Sequence, residues 1–165
     1  MPVFLVPLYE SNDCHNPAGP GGGQFCSTGG VAEALGKVRV VEEPRTPSPD
    51  HPEAHQHGDR VIVSHKFHQL TPEQRYHVLL HELGHWFRER FVPLADIMGW
   101  EQGDKFYDLF AAGNSEEGWA EAFAVFASHP QELKARYPTQ FAALRALVTD
   151  DDVAQVQAFA RKHSR

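Results

Sequence analysis

The chain has 165 residues, 41% of them hydrophobic and 22% charged, with a formal net charge of −7. That length supports one domain whose core folds without staples. The acidic balance, with scattered basic residues, argues against nucleic acid as a partner, and no apolar run is long enough to span a membrane.

The first residues, Met1-Pro-Val-Phe-Leu-Val-Pro-Leu-Tyr9, are too short a run and lack the basic flank of a secretory signal. The expected location is therefore the cytoplasm of the producing or infected cell. Residues 15–30 are glycine-rich and read as a long irregular loop. The loop lacks the Gly-Lys-Ser/Thr ending of a phosphate cradle. Its string from Asn16 to Gly30 resembles segments of phage head and other virion-associated proteins, which implies virion association. Cys14 and Cys26 leave three readings open: reduced thiols, a disulfide closing the loop, or a thiolate that blocks a metal and keeps an enzyme latent.

A short helix near Val31–Gly36 and a strand at Val38–Val41 come next. Residues 43–59, rich in proline and histidine, read as a second irregular stretch. His51, His55 and His57 there are either part of a solvated loop or an auxiliary metal site. Arg60–Ser64 reads as a short strand, and His65 and His68 flank its connection to the next helix, within reach of a cleft mouth.

That helix carries the chain's most informative residues. Thr71-Pro-Glu-Gln74 supplies a capping box with proline at the first helical position, so the helix starts there. It runs to about Phe91, where Val92-Pro93 ends it. Tyr76, Leu80, Leu83 and Phe87 form an apolar stripe along one side. Within it lies His81-Glu-Leu-Gly-His85. Two histidines four residues apart share a face and can grip one zinc ion, while Glu82, turned by about 100°, suits a general base. His77, one turn earlier, can be read as another ligand or as a packing or substrate-side residue. Gly84 costs about 1 kcal/mol in mid-helix relative to alanine, which points to a close approach by a backbone or ligand.

Catalytic zinc usually takes three protein ligands and leaves a fourth position open. Ser115-Glu-Glu-Gly-Trp-Ala-Glu-Ala-Phe-Ala-Val-Phe126 offers the third. Ser115 is a candidate N-cap, and Trp119, Ala122, Phe123 and Phe126 form an apolar face. Glu117 and Glu121 fall at i and i+4 and point the same way, so periodicity alone does not choose between them. Beyond this helix, Gln131–Tyr137, Pro138–Val148 and Asp151–His163 read as three short helices, the last capped by Thr149 or Asp150. The fold class expected is α+β, mostly helical with a small sheet.

His81-Glu-Leu-Gly-His85 followed by Glu117-x-x-Ala-Glu121-Ala-Phe123 resembles the zinc peptidase domain of anthrax lethal factor and its relatives, within the gluzincins. The resemblance spans roughly residues 60 to 145 and is specific in the two motifs only. It implies a zincin-like fold, Zn²⁺ held by His81, His85 and Glu117, and Glu121 hydrogen-bonded to a ligand histidine from behind. It also implies an edge strand beside the motif helix, the role that Arg60–Ser64 would take. The family places a transition-state tyrosine where this chain has Phe110; Tyr107, three residues earlier, is the substitute.

These residues lead to a zinc-dependent endopeptidase acting on a protein or peptide substrate, with Glu82 as general base and Tyr107 helping to stabilise the oxyanion. Two alternatives stand beside it. One is a regulatory peptidase resembling the antitoxin- or repressor-cleaving enzymes of mobile elements. The other is a zincin-like binding or virion structural module without catalysis. Against the latter stand Glu82, which a structural site does not need, and the lack of a fourth His or Cys at suitable spacing.

Overall fold

The computed structural model describes residues 29–43, 53–92 and 115–165. Among them the chain is mostly helical with one small sheet, an α+β arrangement. Helix α1 (Gly29–Leu35) leads into β1 (Arg39–Glu42), followed by β2 (Ala54–His57) and β3 (Arg60–Val63). A 3₁₀ turn at Phe67–Gln69 then delivers the long helix α2 (Pro72–Phe91). After it come α3 (Ser115–Ser128), α4 (Pro130–Arg136), α5 (Pro138–Leu147) and α6 (Asp150–His163). No described helix is long and apolar enough to cross a membrane.

Two expectations are corrected here. Neither expected irregular stretch is irregular throughout: Gly29 and Gly30 belong to α1, and Ala54–His57 is a strand. The strand forms because Ala54 and Gln56 point inward while His55 and His57 stay exposed, an alternation with period two. Gly58, at φ +56°, opens the two-residue turn that folds β2 back onto β3. The second correction concerns Arg60–Val63. This strand lies in the middle of the sheet, parallel to β1 and antiparallel to β2, in the order β1-β3-β2. The strand that both forms an edge and packs on α2 is β2. Val61 and Val63 of β3 are buried accordingly.

The terminal signals of α2 act as the sequence implies. The Thr71 hydroxyl accepts from the Gln74 N–H at 3.2 Å, and the Gln74 side chain accepts from the Thr71 N–H at 2.9 Å. The buried side of α2 is wider than the expected stripe: Leu79 and Trp86 join Leu80, Leu83 and Phe87, while Tyr76 is only partly covered. This face meets α3, whose Trp119, Phe123 and Phe126 are almost wholly buried. Phe87 and Phe123 bring their ring centroids to 5.3 Å, a favourable aromatic separation.

Gly84 explains how closely these helices approach. A Cβ at that position would stand 2.9 Å from the Cα and 3.1 Å from the carbonyl oxygen of Ala120. Trp119 Nε1 donates to the Gly84 carbonyl at 3.2 Å across the same contact. Toward the sheet, the Trp86 indole donates to Asp59 at 3.2 Å, and Gln56 Nε2 donates to Glu89 at 3.0 Å, tying the helix to the β2–β3 hairpin. Helices α4 to α6 close the core with Leu133, Leu144, Val148 and Val156.

Candidate metal centre

Helices α2 and α3 run antiparallel, so a row of residues at one-turn spacing on one faces a similar row on the other. On α2 that row is His77, His81 and His85; on α3 it is Glu117 and Glu121. Glu117 Oε2 lies 3.1 Å from His81 Nε2 and 3.3 Å from His85 Nε2, and the two imidazole nitrogens are 3.2 Å apart. The three atoms form a nearly equilateral triangle. Four-coordinate zinc with ligands at about 2.0–2.1 Å has tetrahedral edges of about 3.3–3.4 Å. The observed triangle therefore matches one face of such a tetrahedron, with the fourth corner left for another ligand. Among the described residues, His81, His85 and Glu117 form the one group of this kind able to hold a metal ion.

The surroundings favour a cation. The side chains of His81, Glu117 and His85 are only 12–15% exposed, and Glu82, next to His81 in the chain, is buried. Burial acts to lower the pKa of His81, but hydrogen bonds with Glu117 and Glu121 and the charges of Glu82 and Glu121 outweigh it and raise the value to about 10. Burial likewise acts to raise Glu121, but the hydrogen bonds and charges of His77 and His81 bring it down to about 2. Three carboxylates thus converge on one buried imidazole, a negative surplus that a divalent cation would offset.

Glu121 occupies the position behind His81. Its Oε2 is 3.2 Å from His81 Nδ1, leaving Nε2 of the same ring toward Glu117 and His85. A carboxylate only accepts, so His81 donates from Nδ1 to Glu121, and the Nε2 proton facing Glu117 is the one that a bound metal would displace. Of the two glutamates that periodicity leaves open, Glu117 is the one in the group able to hold a metal ion, and Glu121 bonds His81 from the far side.

His77, read from sequence as a packing or substrate-side residue, instead places Nε2 at 3.0 Å from Glu121 Oε1. The missed signal is its spacing. Position 77 continues the one-turn series of 81 and 85, opposite a second glutamate at 121. His68 lies away from the centre, with Nε2 3.5 Å from Glu42 of β1, and His65 is exposed. His55 and His57 lie exposed on β2. Tyr107, Phe110, Cys14, Cys26, His51 and the Asn16–Thr28 portion of the glycine-rich string fall outside the described residues.

No protein-family model, curated protein or solved structure matches the chain.

Proposed function

We propose that the chain is a zinc-dependent endopeptidase of the zincin type, with His81, His85 and Glu117 as the metal ligands. The observation that carries this reading is the 3.1–3.3 Å triangle of their ligand atoms, adjoining the buried carboxylate of Glu82. Two imidazoles and one carboxylate, the three donors brought together among the described residues, are a donor set of catalytic rather than structural zinc. Zinc, when bound, supplies Lewis acidity that polarises a carbonyl and brings the pKa of water at the site to about 7.

The protein's own groups do the rest. Glu82 takes a proton from the attacking water and returns it to the leaving nitrogen of the cleaved peptide. Its burial keeps this exchange out of bulk water, which would weaken the field of the site. Glu121 fixes the tautomer and angle of His81. A substrate would lie along β2, which forms one edge of the sheet and packs beside α2, so that an extended peptide can add as a further strand. Tyr107 remains the proposed oxyanion partner.

The test is zinc stoichiometry by mass spectrometry on wild type, Glu117→Ala and Glu121→Ala, together with peptide hydrolysis by Glu82→Gln. One zinc per chain is expected, lost in Glu117→Ala and weakened in Glu121→Ala. Glu82→Gln should keep the metal and lose turnover by about 10²-fold or more. A wild type that stays metal-free after zinc is restored, or full activity in Glu82→Gln, would refute the reading.

A further inference from the structure

Glu117 sits between His81 and His85, and Glu121 sits in the same way between His77 and His81, one turn along both helices. The two sets nonetheless behave differently. The first closes into a group whose ligand atoms all lie within 4.8 Å of one another; the second is not such a group. The difference arises at His81, which presents Nε2 to the first set and Nδ1 to the second. Glu121 is thus held by both neighbouring rings: its Oε1 accepts from His77 Nε2 at 3.0 Å, with Oε2 3.3 Å from the same nitrogen, and its Oε2 accepts from His81 Nδ1 at 3.2 Å.

We propose that His77 is a positioning residue for the metal centre, anchoring Glu121 so that this carboxylate stays on His81 and off the metal. The inference rests on the metal-centre reading above. With both oxygens engaged, the Glu121 side chain has one orientation. Without His77, Oε1 loses its anchor, and rotation about the terminal torsion costs little. Two consequences follow. His81 is held less firmly in the tautomer that offers Nε2, and Glu121 becomes a competitor for the metal on a helix that already supplies Glu117.

The experiment measures zinc affinity by chelator competition in wild type, His77→Ala, His77→Gln, Glu121→Gln and the His77→Ala/Glu121→Gln double variant. Cobalt(II) absorption spectra report the ligand field of the same proteins. Loss of a direct partner of a ligand weakens metal binding by about 10–100-fold. The His77 contact is one bond further out, so His77→Ala should cost about fivefold to tenfold. His77→Gln, whose amide N–H can donate to the same oxygen, should recover most of it. In the Glu121→Gln background, His77→Ala should add nothing. The cobalt spectrum should change in His77→Ala and return in His77→Gln.

The His77 side chain is 42% exposed, so the fold should survive. If His77→Ala does not fold, His77→Phe removes the donor while keeping ring bulk, and the same fold-change decides. Wild-type affinity in His77→Ala, or an equal loss with and without Glu121→Gln, overturns the positioning role alone. A wild type that binds no zinc overturns it together with the metal centre.

Discussion

Replacing Gly84 by alanine tests the join between packing and chemistry. The added Cβ would meet the Ala120 Cα at 2.9 Å and the Phe123 Cβ at 3.2 Å. The first contact is to backbone, so no rotamer change relieves it. To reach ordinary contact near 3.4 Å, the helices must part by about 0.5 Å. Overpacking of this kind costs about 1–3 kcal/mol, and a clash with backbone belongs in the upper half of that range. Alanine recovers about 1 kcal/mol of helix propensity. The net loss is therefore about 1–2 kcal/mol, measurable by urea unfolding of the metal-free protein. The same retreat carries Glu117 away from α2, opening its 3.1 Å approach to His81 to about 3.6 Å, beyond a tetrahedral zinc edge. Zinc affinity should fall by about tenfold. A variant as stable as wild type, with unchanged zinc affinity, would show that the helices do not meet as tightly as the Gly84 contact requires.

Zinc binding should also depend on pH with a defined sign. Since His81 in the metal-free site keeps its proton up to about pH 10, zinc must displace it, and affinity should rise about tenfold per pH unit from 6 to 8. Competition titrations across that range would check it, and a flat profile would contradict the His81 assignment. In the metal-free protein the raised value works the other way: its stabilising effect is full below the unfolded value of 6.5 and is lost as pH climbs toward about 10. Away from the centre, the Thr149 hydroxyl accepts from the Asp152 N–H at 3.2 Å while the Asp152 carboxylate accepts from the Thr149 N–H at 3.0 Å, capping α6. Thr149→Ala should cost about 1 kcal/mol in urea unfolding without altering zinc affinity.

The helices were readable because their ends carry local chemistry. Thr71 and Thr149 announce caps, and Pro72 and Pro138 mark first turns. Gly84 was readable as a point of close approach because a mid-helix glycine needs a reason. The strand at Ala54–His57 was not, since alanine, glutamine and histidine carry little strand preference and its pattern makes sense only against β3. The candidate ligands at 81 and 85 follow from spacing on one helix. The choice of Glu117 over Glu121, and the bond from His77, depend on how two distant helices are set against each other. Periodicity places both glutamates on the right face and says nothing about their height along the partner.

That height is marked in part by a residue outside the candidate metal centre. Sliding α3 by one turn, about 5.4 Å, would put Glu121 where Glu117 stands and Ala124 where Ala120 fits beneath Gly84. Those two places would be refilled in kind, but Val125 would stand where Glu121 meets His77 and His81. The place of Trp119 would pass to Phe123, which has no N–H to offer the Gly84 carbonyl, and the space filled by Phe123 would pass to Ala127. A carboxylate and a buried indole thus act together as a vernier mark between two helices.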